Sequence, residues 1–119
     1  MTGPDAHAPP PDYLTPVIYH TLLSLFEGPK HGYAISREAT ERTDGRVRMG
    51  PGTLYGTLQR LGEKGWLEET DEPDGEGPHA DRRRYYRITP SGVRVLKAEA
   101  ARLDAAVRHA RDRAVLEGS

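Results

Sequence analysis

Apolar residues recur at helical spacing in four stretches of this chain, and strand-like patterns separate the later ones. Val17, Ile18, Thr21, Leu22, Leu25 and Phe26 line one side of a first helix, and Leu14 and Leu23 widen the stripe beyond a single core face. Asp12 or Thr15 fits its N-cap, Pro16 its first turn and Gly28-Pro29 its end. His31-Gly32 opens a second, shorter helix with Ala34, Ile35 and Ala39 inside and Arg37, Glu38, Glu41 and Arg42 outside. Asp44-Gly45 breaks it. Arg46-Val47-Arg48-Met49 alternates polar and apolar and predicts a very short strand. A third helix runs from Pro51 to Lys64-Gly65, with Leu54, Leu58 and Leu61 on its buried face.

Trp66 to Thr70 and Arg82 to Ile88 read as two strands of a hairpin, and the Gly-, Pro- and acid-rich Asp71 to Asp81 as its long tip. Tyr33 and Trp66 are expected in the core. Thr89 caps a last helix, with Pro90 at its first position. Val93, Leu96, Ala100, Leu103, Val107, Ala110 and Ala114 then alternate spacings of three and four, a coiled-coil-like seam. A helix that long projects beyond a small domain. The first helix, a second subunit, or both must cover its seam.

The order helix, helix, short strand, helix, strand, strand, long helix predicts a mainly α fold with a small β-hairpin wing. It is a winged helix-turn-helix with an added C-terminal helix. The expected organisation is a tail at 1–12, a winged helix-turn-helix domain at 13–89 and a dimerisation helix at 90–119. Residues 1–12, with Pro4, Pro9, Pro10 and Pro11, have almost nothing to bury.

The wet face of the third helix turns this fold towards nucleic acid. Thr53, Tyr55, Gly56, Thr57, Gln59 and Arg60 lie on or near it. A recognition helix enters the major groove by its N-terminal end, where free N–H groups and the dipole favour phosphate. Arg60 can read a guanine edge or hold a phosphate, or else pair with Glu63 or Asp44. The Tyr55 ring can equally pack over the neighbouring helix. Arg82, Arg83, Arg84 and Arg87 form a positive cluster on the wing, suited to phosphate or a narrow minor groove. The bland reading of that cluster is neutralisation of the acidic tip. His31 fits a cap or packing role better than a pH sensor.

Composition narrows the choice. The chain has 119 residues, 35% hydrophobic and 29% charged, which allows one small domain with a modest core. A net charge of −1 argues against indiscriminate nucleic-acid binding but permits a local basic patch. There is no cysteine, so thiol chemistry is excluded, and the five histidines are scattered without metal spacing. No nucleophile elbow or phosphate-cradling loop appears, so an enzyme is not expected, and neither is a cofactor. The absence of a membrane-length apolar run or a secretory signal points to a cytoplasmic location.

Four stretches together resemble the PadR family of bacterial transcriptional regulators, over roughly residues 14–100. They are Leu22 to Tyr33 with its Lys30-His31-Gly32-Tyr33, Pro51-Gly52-Thr53-Leu54-Tyr55, Leu58-Gln59-Arg60-Leu61 with Gly65, and Arg83-Arg84-Tyr85-Tyr86-Arg87-Ile88-Thr89 with Gly92. The resemblance implies a homodimeric repressor on a palindromic double-stranded DNA operator, clasped mostly through the last helix. It implies that Tyr55 hydrogen-bonds a phosphate and that Tyr19 reaches the DNA backbone, a core or interface role for Tyr19 remaining open. It places Leu14, Ile18, Val93, Leu96, Ala100, Leu103, Val107 and Ala110 at the dimer interface. Some relatives bind small molecules between subunits. Leu14, Ile18, Leu96, Ala100 and Leu103 could line such a pocket here, or simply pack. Gly50 departs from the family where relatives often carry a capping Ser. A winged-helix protein-interaction module without DNA binding is the competing function.

Overall fold

Thr15 accepts a hydrogen bond from the Ile18 N–H at 3.2 Å and so starts α1 (Pro16–Phe26), settling the choice of cap. The computed structural model describes residues 14–71 and 84–116. The expected tail at 1–12, most of the hairpin tip, Arg82, Arg83 and the last three residues lie outside the described residues. In α1, Thr21, Leu22, Ser24 and Leu25 are buried, while Leu14, Val17, Ile18 and Leu23 are partly buried against the core. Phe26, expected in the stripe, is exposed, because the chain leaves the helix there and turns at Gly28.

A two-residue strand, β1 (Lys30–His31), follows and leads into α2 (Gly32–Arg42). The His31 ring accepts from the Ala34 N–H at 3.2 Å and caps α2. Beyond α2, Arg46–Met49 keeps the alternation of a strand, with Val47 and Met49 buried and Arg46 and Arg48 exposed, yet it forms no strand. Hydroxyls take its backbone groups instead. Thr43 Oγ1 accepts from the Val47 N–H, Thr40 Oγ1 donates to the Val47 carbonyl, and Ser36 Oγ donates to the Met49 carbonyl. Those bonds tie the connection to α2 and set the angle of the next helix.

That helix, α3 (Pro51–Glu63), buries Leu54, Thr57, Leu58 and Leu61 and has no side-chain cap at Gly50. It ends where Gly65 takes a φ of 79° and the Trp66 N–H bonds back to the Leu61 carbonyl at 3.0 Å. Next come β2 (Leu67–Thr70) and β3 (Tyr85–Ile88), antiparallel, with Glu68 opposite Arg87 and Glu69 opposite Tyr86. β3 also pairs with β1, Lys30 opposite Tyr86, so the sheet order is β1-β3-β2. The third strand is therefore at Lys30–His31, not at Arg46–Met49.

Thr89 caps α4 (Pro90–Asp112) by accepting from the Gly92 N–H at 3.1 Å, and its hydroxyl donates to the Gly65 carbonyl. α1 packs against both α2 and α4, and α3 against β2. One core joins Leu22, Leu25, Ile35, Leu54, Leu58, Leu61, Leu67, Tyr86 and Leu96. Leu96 is 4% exposed within its own chain, so it leaves the expected dimer seam and joins this core. Past Ala100 almost every residue of α4 is exposed, Leu103 at 44% and Val107 at 41%. Ala114 lies beyond the helix end at a φ of 64° and does not extend the seam. Tyr33, expected in the core, is 64% exposed, and Trp66 is partly buried beneath the Lys64 ammonium.

Candidate nucleic-acid interface

The outward side of α3 is built by its inward side. Leu54, Leu58 and Leu61 fix the helix on the core, and Thr53, Tyr55, Gln59 and Arg60 are exposed on the remaining surface. Thr57 does not join them. It is 1% exposed and part of the buried face, where its hydroxyl accepts a 3.4 Å bond from Arg60 Nη2. Apart from that bond the Arg60 guanidinium is uncommitted, with no carboxylate within ion-pair distance among the described residues. The alternative pairing with Glu63 or Asp44 is not made, because Glu63 faces Gln59 at 3.5 Å. Gly56 lies one turn below Arg60, and a Cβ there would be 3.7 Å from Nη1, so the gap is not needed for packing.

Tyr55 satisfies part of both readings. It is 50% exposed, yet its ring and hydroxyl lie close over Gly32, where a Cβ would stand 3.2 Å and 3.1 Å from them. Gly32 thus allows the N-terminal ends of α2 and α3 to meet, with the Tyr55 hydroxyl at their junction. Tyr19 is partly buried against the core, edge-on to the His20 ring at 5.3 Å. Burial, reinforced by the Arg42 guanidinium, holds the His20 pKa below the usual histidine range. Arg42 Nη1 lies 3.2 Å from His20 Nδ1, which therefore accepts.

On the wing, Arg84 is exposed, but it is not alone. Arg84 Nη1 lies 3.6 Å from Glu69 Oε2, and Arg87 Nε donates to Glu68 Oε2 at 2.7 Å. These acidic partners lie on the facing strand β2, where the sequence pattern did not point, and the expected pairing with the acidic tip falls mostly outside the described residues. Strand alternation gives no warning of this. The signal is the register, which sets Glu68 opposite Arg87. A cleft of about 430 Å³ opens between α3 and the sheet, with Leu58, Gly62 and Leu67 at its base and Tyr55, Arg84 and Tyr86 beside them. Burial there raises the Tyr86 phenol above its ordinary range, and the Glu69 carboxylate adds to the rise. The cleft is not the expected one lined by Leu14, Ile18, Leu96, Ala100 and Leu103.

This geometry can be set beside known proteins. The profile of the transcriptional regulator PadR-like family matches residues 21–98. A protein of Streptomyces fradiae, described as an uncharacterized 37.1 kDa protein in transposon TN4556, is 40% identical over 79 residues, which are 66% of this chain and 20% of that protein. An uncharacterized protein of Lysinibacillus sphaericus is 35% identical over 71 residues, 60% of this chain and 62% of that one. The chain thus spans less than two thirds of either relative. A transcriptional regulator from Clostridium thermocellum shares 28% identity at a TM-score of 0.63, covering 77% of this chain and 84% of its own. A PadR family transcriptional regulator from Eggerthella lenta shares 28% at a TM-score of 0.59, covering 78% and 76%. A PadR family regulator from Clostridium difficile, at 20% identity and a TM-score of 0.68 over 81% and 95%, has the same fold. The three solved structures are described as transcriptional regulators. On the family match over most of its folded residues, this chain belongs to the PadR-like family of transcriptional regulators.

Proposed function

We propose that the chain regulates transcription by holding double-stranded DNA as a homodimer, with α3 of each subunit in the major groove of one half-site. The observation that carries this reading is Arg60: an exposed arginine without a carboxylate partner on the outward face of the second helix of a helix-turn-helix. Thr53, Tyr55 and Gly56 near the start of α3 meet phosphates, and Gln59 and Arg60 reach base edges. Arg84, with its sequence neighbours Arg82 and Arg83, follows the backbone or enters the minor groove. Tyr19 stands behind them at the backbone.

The half of α4 beyond Ala100 supports the dimer, because Leu103 and Val107 are apolar yet 44% and 41% exposed among the described residues. Two-fold symmetry then requires a palindromic operator, with recognition helices about 34 Å apart. Repression is the output of this arrangement, since a clasped operator is closed to other proteins. A small apolar effector could relieve it at the subunit interface, where Leu14, Ile18, Ala100 and Leu103 retain accessible surface. No helix among the described residues is long and apolar enough to cross a membrane, which agrees with work in the cytoplasm.

Titrating salt against duplex binding tests the reading. Affinity for DNA is expected to fall steeply as counterions are released. Arg60→Ala is expected to cost about 1–3 kcal/mol of binding per half-site while shifting the melting midpoint by only a few degrees. A protein-interaction module would bind no duplex at any salt concentration, and a large loss of folded Arg60→Ala protein would assign Arg60 to packing.

The wing makes a second prediction. Glu69→Gln releases Arg84 and removes a negative charge beside it. Because the pair is exposed, the gain is modest, about two- to fivefold tighter binding with a steeper salt dependence. Unchanged affinity and slope would show that Arg84 takes no part in binding.

A further inference from the structure

Tyr33 and Arg37 are not explained by the core or by α3. Tyr33 is 64% exposed, more than Tyr55 at 50%, and lies one residue past the start of α2. Arg37, one turn further on, places its guanidinium carbon 5.4 Å from the centre of the Tyr33 ring. The His31 ring lies nearly parallel to that of Tyr33, at 6.3 Å and 8°. The two arginines of α2 have opposite fates. Arg42 bonds Ser24 and His20 and lies 3.8 Å from Glu38, which also holds Lys30 at 3.6 Å. Arg37 sits beside the same Glu38 in sequence but has no ion pair and no hydrogen bond among the described residues. Its charge is steadied by an aromatic face, which leaves the N–H edges of the guanidinium open.

We propose that Tyr33 and Arg37 form a second phosphate-binding element, which grips the duplex backbone beside the half-site that α3 reads. The inference rests on the DNA-binding reading above. Its position follows from Gly32: Tyr55 of α3 packs directly over that glycine, and Tyr33 is its immediate neighbour. Gly32 itself is buried beneath Tyr55, which brings the exposed Tyr55 of α3 to the end of α2 that carries the exposed Tyr33 and, one turn on, Arg37. A planar cation and a phenol hydroxyl match two oxygens of a phosphodiester. Contacts of this kind fix register and orientation and carry no base preference.

The test compares the wild-type protein with Arg37→Ala and Tyr33→Phe on a duplex selected by the wild type. The readouts are the salt dependence of affinity, interference by phosphate ethylation, and the consensus each variant selects. Arg37→Ala is expected to lower the salt slope by about 1 per subunit. It should also abolish interference at phosphates flanking each half-site and leave the consensus unchanged. Tyr33→Phe is expected to weaken binding less, at the same phosphates. Both positions are exposed, so equal melting midpoints confirm folded protein. A folded Arg37→Ala dimer with the wild-type slope and phosphate map overturns the inference while leaving the DNA-binding reading intact. A changed consensus overturns it as well, since the pair would then be reading bases. Failure of the wild type itself to bind any duplex at low salt overturns both.

Discussion

Gly92→Ala is expected to lower stability more than any other change of one methyl group in this protein. A Cβ at Gly92 would overlap the Trp66 carbonyl oxygen and stand 2.8 Å from Ile88 Cγ1. Neither neighbour can easily retreat. The Trp66 carbonyl accepts the Thr89 N–H at 3.0 Å, and the Thr89 hydroxyl is bonded to the Gly65 carbonyl. These bonds join the end of α3, the strand β3 and the start of α4 at one point, so relief of the clash breaks a cap or a turn. Overpacking of this kind costs about 3 kcal/mol. For a domain of this size that lowers the melting midpoint by about 10–20 °C, measured by circular dichroism. A loss below about 1 kcal/mol would mean that α4 can slide along the sheet, against the rigid junction described.

Removing α4 after Arg102 is expected to separate stability from assembly. The retained part keeps Gly92, Leu96 and Glu99, the residues of α4 that are buried in the chain's own domain. The deleted part, from Leu103 onward, includes a stretch of helix about 15 Å long at 1.5 Å per residue, with Leu103 and Val107 exposed. Sedimentation is expected to show a dimer for the whole chain and a folded monomer for the truncated one. Operator affinity should fall by about 100-fold or more, because two linked half-site contacts become one. A truncated chain that still dimerises would move the interface to α1, where Leu14, Ile18 and Leu23 remain partly exposed.

These predictions divide between what periodicity reveals and what it hides. α3 was legible because Leu54, Leu58 and Leu61 repeat at helical spacing between Pro51 and Gly65. Thr57 was misplaced because a hydroxyl reads as polar, although its position between Leu54 and Leu61 puts it on the buried side. The seam on α4 was legible as a seam. The pattern offered the first helix as one cover but did not say which part it takes; α1 packs against α4, and Leu96 enters the chain's own core. β1 has two residues and no pattern to read. Tyr33 was misread by composition, for at about 100° per residue it stands some 200° around α2 from Ile35, on the opposite side from the core. The carboxylates facing Arg84 and Arg87 depend on the pairing register of β2 with β3, which helical periodicity does not encode.

Two copies of α3, held at a fixed distance, are expected to read a symmetric DNA sequence. Selection of bound duplexes from a random pool by the purified full-length protein tests it most directly. The expected result is an enriched palindrome whose half-sites are centred about one helical turn, or 34 Å, apart. A pool that remains random after repeated rounds at low salt would contradict it.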